Sequence, residues 1–216
     1  MATARDILSG AYNRSASNDP GKLAQDGELL AHMNRLYQRL WALFSRARPE
    51  EAGSTTTVTL AGMTPAATLP TDLVDLLLCE NADGDPVHLI PAHERLRLWH
   101  VAPSAYRLGT TLYSRNLAGD PIAGDVLTLT LIQALTTITA GPDVLDTRFP
   151  TRHHQILVDS LALYLSVKDS GRSDGDRQAL LVDLRTAAAA FAAEYHLPPS
   201  AISWVHAPVS HQEMPA

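Results

Sequence analysis

Apolar positions along the chain change their spacing twice, dividing it into helical, strand-like and again helical stretches. Over residues 3–14, Ile7, Leu8 and Ala11 share one side of a short helix, and SASNDPG (15–21) follows as a loop with strong turn chemistry. The clearest helical period runs over 27–47, where Leu29, Met33, Leu36, Leu40, Leu43 and Ala47 recur at steps of three and four. Leu30, Tyr37, Trp41 and Phe44 widen that stripe beyond what one partner helix would cover. Asp26 suits the N-cap, and Pro49 and Gly53 end the helix. Residues 55–60 (TTTVTL), 73–79, 87–90, 106–114 and 126–139 are then β-branched or alternating runs, separated by turn clusters such as NADGDP and NLAGDPIAGD. HERLRLWH (93–100) fits a short helix and a strand equally, so the fold of 91–105 stays open.

Helical spacing returns at Thr151. Ile156, Leu157, Leu161, Tyr164 and Leu165 form a face ending near Lys168, and SGRSDGD is a tight polar turn. Asp176 suits the N-cap of the next helix, marked by Leu180, Leu184, Ala187, Phe191 and Tyr195; the pair predicts an antiparallel hairpin. The closing LPPSAISWVHAPVSHQEMPA carries four prolines, no Lys or Arg and no period. It predicts an extended arm in which Ile202, Trp204 and Val205 have no evident partner within the chain. Its removal is expected to leave the helices folded.

These elements predict an α+β fold: a bundle of about four helices with an inserted small antiparallel β-sheet and an extended C-terminal arm. The N-terminal helices occupy 1–48, the strand-rich insertion 49–150, the C-terminal helical hairpin 151–196 and the arm 197–216. A length of 216 residues suits one domain carrying an insertion.

Charge refines this. Residues 1–48 hold seven Lys/Arg against four Asp/Glu, 49–150 five against twelve, and 151–216 five against seven. The balances +3, −7 and −2 sum to the net −6. An acidic middle is unsuited to gripping nucleic-acid phosphates, which takes clustered Lys/Arg. The charged fraction of 19% is low for a soluble chain and suggests surface buried against partners. The opening MATARDILSG has no apolar signal core and no run of about 18 apolar residues exists, so synthesis and assembly in a cytoplasm, without a membrane, are expected.

Little in the chain points to chemistry. Cys79 is the only cysteine, which excludes an intrachain disulfide and a Cys-based zinc site; at the end of a strand it is a core thiol more readily than a nucleophile. His153 and His154 are adjacent, about 100° apart on a helix, and do not readily share an ion. His88, His93 and His100 lack the HExxH spacing. No GxSxG, SxxK, GxGxxG or GxxxxGK[ST] occurs, and Ser160 beside Asp159 lies on a helical apolar face. Asp83 and Asp85 slightly resemble a calcium loop, but the downstream Glu is missing and a polar hairpin turn accounts for them. No catalytic residue, metal ligand or cofactor is expected.

The order of elements resembles the head–tail adaptor (connector) family of tailed bacteriophages. ATARDILSGAYNR is similar to the family's short first helix with its T-x-x-D-I/L-I opening, and residues 27–44 resemble its second helix, an apolar stripe ending in aromatics. LPTDLVDLLLCENADGDPVHLIP is similar to the family's proline, strand, acidic turn and further strand. TRFPTRHHQILVDSLALYLSVKD and GDRQALLVDLRTAAAAFAAEY resemble its closing helix pair. The resemblance implies a non-enzymatic virion protein of the head–tail neck, a viral structural protein forming an oligomeric ring, usually a dodecamer. One face would bind the portal protein and the other the next neck or tail protein, with genomic DNA passing through without sequence-specific binding. In such proteins the C-terminal arm reaches the portal, which makes Ile202, Trp204 and Val205 the candidate portal-binding residues. A stopper or tail terminator, generally richer in β structure, a small enzyme using His100 or His153 with a nearby carboxylate, and a cytoplasmic helical interaction protein unrelated to phage are the competing readings.

Overall fold

The computed structural model describes residues 2–15, 26–96, 103–114, 119–168 and 173–205. The fold is α+β, and the chain divides into two compact units, Met1–Arg48 with Leu135–Ala216 and Pro49–Ala134.

The first unit is helical: α1 (Ala4–Ser15), α2 (Asp26–Ala47), and, beyond the short α3 (Pro49–Ala52) of the other unit, α4 (His154–Lys168) and α5 (Asp174–Glu194). Helix α4 is the centre, with α1, α2 and α5 all packed against it. Its sequence is apolar nearly all round, and Ile156, Leu157, Leu161, Ala162, Leu163 and Leu165 are all buried, as a helix covered on several sides requires. Gly10 marks where α1 lies closest to α4: a Cβ there would stand 3.3 Å from Val158 Cγ1.

Helix ends explain several polar positions. In the T-x-x-D opening, Thr3 Oγ1 accepts from the Asp6 N–H (3.3 Å) while Asp6 Oδ2 accepts from the Thr3 N–H (2.8 Å), a capping box. The α5 cap is Ser173 rather than Asp176: Ser173 Oγ accepts from the Asp176 N–H at 3.1 Å, and Asp176 sits three residues in. At the other end of α5, the His196 N–H bonds Ala193 O (3.3 Å) and the Leu197 N–H bonds Ala192 O (2.9 Å), a Schellman closure. His196 holds the left-handed position at φ 52°, where glycine is usual. Replacing it with glycine is expected to raise stability by about 1 kcal/mol in urea melts, since the left-handed penalty of a Cβ is removed; an unchanged or lower midpoint counts against that account.

Residues 135–150, grouped with the strands by the sequence pattern, belong to the helical unit. Asn34 Nδ2 donates to Ile138 O (2.7 Å) and its Oδ1 accepts from the Ile138 N–H (2.9 Å), and Gln38 Nε2 donates to Leu135 O (2.8 Å). Two amides one turn apart on α2 thus grip an extended backbone, while Leu135, Ile138 and Leu145 are buried. The last strand accordingly stops at Gln133 rather than running to 139.

The second unit holds two small sheets. One, in the order β1 (Ser54–Thr59), β7 (Val126–Gln133), β3 (Leu73–Glu80), is antiparallel throughout. The other is β2 (Ala66–Thr68), β6 (Thr111–Ser114), β5 (Ser104–Leu108), β4 (His88–Ile90), antiparallel except for the parallel β4–β5 pair. Residues 106–114 make a hairpin rather than one strand: the chain turns at Gly109–Thr110, with Gly109 at φ 62°. Leu60, Leu69, Cys79, Leu112, Leu127, Leu129 and Leu131 form the core. The NADGDP stretch is an Asx turn, in which Asn81 Oδ1 accepts from the Asp83 and Asp85 N–H groups (3.0 and 2.8 Å). Within 91–105, Ala92–Glu94 is a 3₁₀ turn and β5 opens at Ser104; 97–102, with His100, lie outside the described residues.

Candidate functional site

The histidines with the most suggestive neighbourhoods serve packing. His153 is buried, with its Nε2 3.1 Å from Tyr195 Oη and 3.4 Å from Glu194 Oε2. His154 is buried and stacked on Phe149, centroids 5.8 Å apart and planes at 13°. Around Phe149 gather Tyr37 (5.3 Å), Phe44 (5.8 Å), His153 (6.3 Å) and Phe191 (6.5 Å), the aromatics of α2 meeting those of α4 and α5. Burial lowers the basicity of both imidazoles; Glu194 opposes the effect at His153, and His153 adds to it at His154.

His32 on α2 approaches Ser160 on α4, Nε2 to Oγ 3.2 Å, and stacks on Tyr164 at 4.7 Å. Burial, with Arg35 nearby, pushes His32 down to about 4 against the opposing pull of Glu28. A neutral imidazole on a serine hydroxyl has the ingredients of a nucleophile and base. Ser160, however, lies mid-helix, where the neighbouring N–H groups are spent on the helix and cannot form an oxyanion hole. Asp159, beside it, faces Arg14: Oδ1 is 3.1 Å from Arg14 Nη1 and accepts from Gln155 Nε2 at 2.6 Å, while Arg14 also bonds Asp183. Burial raises its pKa against the pull of Gln155 and Arg14. Arg14 of α1, held by Asp159 of α4 and Asp183 of α5, ties the three helices together.

Cys79 is buried in the sheet core, and burial, with Glu80 beside it, pushes its thiol up to about 11. Among the described residues no group of three or more His, Cys, Asp and Glu could hold a metal ion, and no helix is long and apolar enough to cross a membrane.

The C-terminal segment departs from the expected extended arm. The Schellman turn reverses the chain, and Pro199–Val205 forms a 3₁₀ helix packed on α5. Ile202 is 6% exposed, a core residue rather than an unpartnered one. Trp204 is half-buried, and the Arg39 guanidinium of α2 lies 5.3 Å from its ring centroid. The Trp204 Nε1 is buried without a hydrogen-bond partner among the described residues, and the side chain of Val205 lies outside them. Ile202 therefore anchors the segment to its own bundle, and Trp204 presents the remaining ring surface and a cation from a neighbouring helix. Sequence reasoning found Trp204 but missed Arg39, whose exposed position in the α2 period was the available signal.

A family model described as SU10 adaptor protein matches residues 2–202. No curated protein matches the chain.

Proposed function

The chain belongs to the SU10 adaptor protein family, and from that premise we propose that it acts as a head–tail adaptor of a tailed-phage particle, a ring at the neck between the portal and the next neck or tail protein. The observation that carries this reading is the extent of the match, which takes in both compact units and most of the C-terminal 3₁₀ segment. An adaptor of this family is a structural phage component, not an enzyme, and the packing roles of His153, His154 and Asp159 agree with that. Assembly would take place in the host cytoplasm, with the ring lining the DNA passage.

Portal contact is assigned to the C-terminal segment, Ile202, Trp204 and Val205, with the roles divided. Trp204 supplies the anchor, an amphipathic ring already backed by Arg39. Ile202 holds the segment in place. Trp204→Ala is expected to weaken portal binding by about 2 kcal/mol with little change in melting temperature. Ile202→Ala is expected to lower the melting temperature itself, because it removes buried packing. Co-sedimentation of the full chain with purified portal at near-physiological salt measures the first, and thermal denaturation the second. Wild-type chain that fails to sediment with portal sinks the adaptor reading; Trp204→Ala binding as wild type moves the contact elsewhere.

A further inference from the structure

The exposed face of α2 carries Glu28, Ala31, Arg35, Arg39, Ala42 and Arg46 at steps of three and four. None of the three arginines has a carboxylate partner among the described residues, whereas Arg14, Arg148, Arg152, Lys168 and Arg177 of the same unit each have one. Ala31 and Ala42 between them are small and exposed, and of the three guanidinium groups Arg39 also lies over the Trp204 ring, 5.3 Å from its centroid. From Arg35 to Arg46 the stripe runs about 16 Å at the helical rise.

The complementary charge sits on the other unit. Residues 49–134 hold four Lys/Arg against ten Asp/Glu, a balance of −6, and the remaining residues hold thirteen of each, so the sheet unit accounts for the whole net charge. Part of the excess is concentrated along β3, an edge strand of its sheet. Asp72 just before it, Asp75 within it, and Asp83 and Asp85 in the turn that follows it are exposed, together with Val74 and Leu78 of the strand.

We propose that the Arg35–Arg39–Arg46 face of α2 docks on the Asp72–Asp85 edge of the sheet unit in a second copy of this chain. The inference rests on the ring reading given above and names its subunit contact. The two surfaces differ and lie on different units, so the contact is heterologous: each copy offers one surface to the neighbour on either side, as a closed ring needs. Duplex DNA is the other polyanion available, but a chain of net −6 repels it at range, and three arginines neutralise few phosphates.

The test compares full-length wild type, Arg35→Glu/Arg39→Glu/Arg46→Glu, and Asp72→Lys/Asp75→Lys/Asp83→Lys/Asp85→Lys by sedimentation velocity. Chain is taken to about 1 mM, in about 50 mM and about 500 mM NaCl, a range over which screening becomes severe. Wild type should self-associate in low salt and weaken at least about tenfold in high salt. Each variant alone should lose association to a similar degree. An equimolar mixture of the two should regain it, because the unaltered stripe of one meets the unaltered acids of the other. An Asp→Asn set at the same four positions, which keeps the acceptors, should weaken association if the lysine set does not fold. No wild-type association, variants that associate as wild type, or a mixture that stays apart overturns the proposal. So does a duplex oligonucleotide retained by wild type and released by the arginine variant. Immunodetection on purified particles separates the two readings: absence of the chain ends the adaptor reading, whereas normal incorporation of Arg35→Glu/Arg46→Glu, which spares the Arg39 behind Trp204, ends this proposal alone.

Discussion

Phe149→Ala is expected to destabilise the helical unit by about 3–5 kcal/mol, the usual loss for deleting a buried aromatic ring from a packed core. Phe149 is fully buried, and the rings of Tyr37, Phe44, His153, His154 and Phe191 all lie against it. Those partners come from three α-helices and the 3₁₀ turn that leads into α4, so no single side-chain movement closes the cavity. Edge-to-face contacts to Tyr37 and Phe44, at 86° and 82°, are lost together with the apolar burial. Urea denaturation followed by tryptophan fluorescence measures the loss. A change below about 1 kcal/mol means that the cluster collapses into the space, and the bundle is then far more plastic than its packing indicates.

Acidification from pH 7.5 to 5 is expected to lower stability by more than about 2 kcal/mol, with histidines as the cause. His32, His153 and His154 all have folded-state pKa values below the ordinary imidazole value, each because burial disfavours the charged ring. The unfolded chain therefore binds more protons than the folded one between the folded and unfolded pKa values. Stability from these groups is full above about 6.5 and is lost as pH falls toward the folded values. For His32, with its folded value at about 4, the loss by pH 5 is on the order of 2 kcal/mol, and the other two add to it. Asp159 acts in the opposite sense: burial raises its pKa, so its contribution favours the fold as pH falls through its folded value toward the usual aspartate range. Glu28 and Glu194, which face His32 and His153, are lowered by their hydrogen bonds to Lys168 and Tyr164 and to Arg152 respectively, and stay ionised in this window. His32→Gln should flatten the curve of melting temperature against pH. A wild-type curve that is already flat between 7.5 and 5 refutes the assignment.

The helices were legible because their apolar residues repeat at 3.6, from Leu29 through Phe44 on α2 and from Leu180 through Tyr195 on α5. Family resemblance was legible for the same reason, since it rests on that order of elements. Where local pattern and tertiary setting disagree, reading failed. β2 spans three residues, too few for any alternation to show, and the parallel pairing of β4 with β5 leaves no trace in either strand. The run ALTTIT after β7 is β-branched and so strand-like, yet Asn34 and Gln38, far away in sequence, hold it on α2. In the sequence Ile202 reads as unpartnered, because the reversal that returns it to α5 depends on His196 adopting a positive φ, for which a histidine gives no warning. Thr3 and Ser173, by contrast, stand three residues before an aspartate, and the capping box of α1 and the serine cap of α5 are both legible there.

Cys79 has a practical bearing. A lone thiol that is buried and shifted to about 11 is almost entirely protonated near neutral pH and hardly reacts with maleimides. A cysteine introduced at a fully exposed position such as Met63 would then be the one group in the chain that takes a fluorophore. Counting photobleaching steps on single complexes of chain labelled in this way would give the number of copies per assembly without altering either the helices or the sheet core.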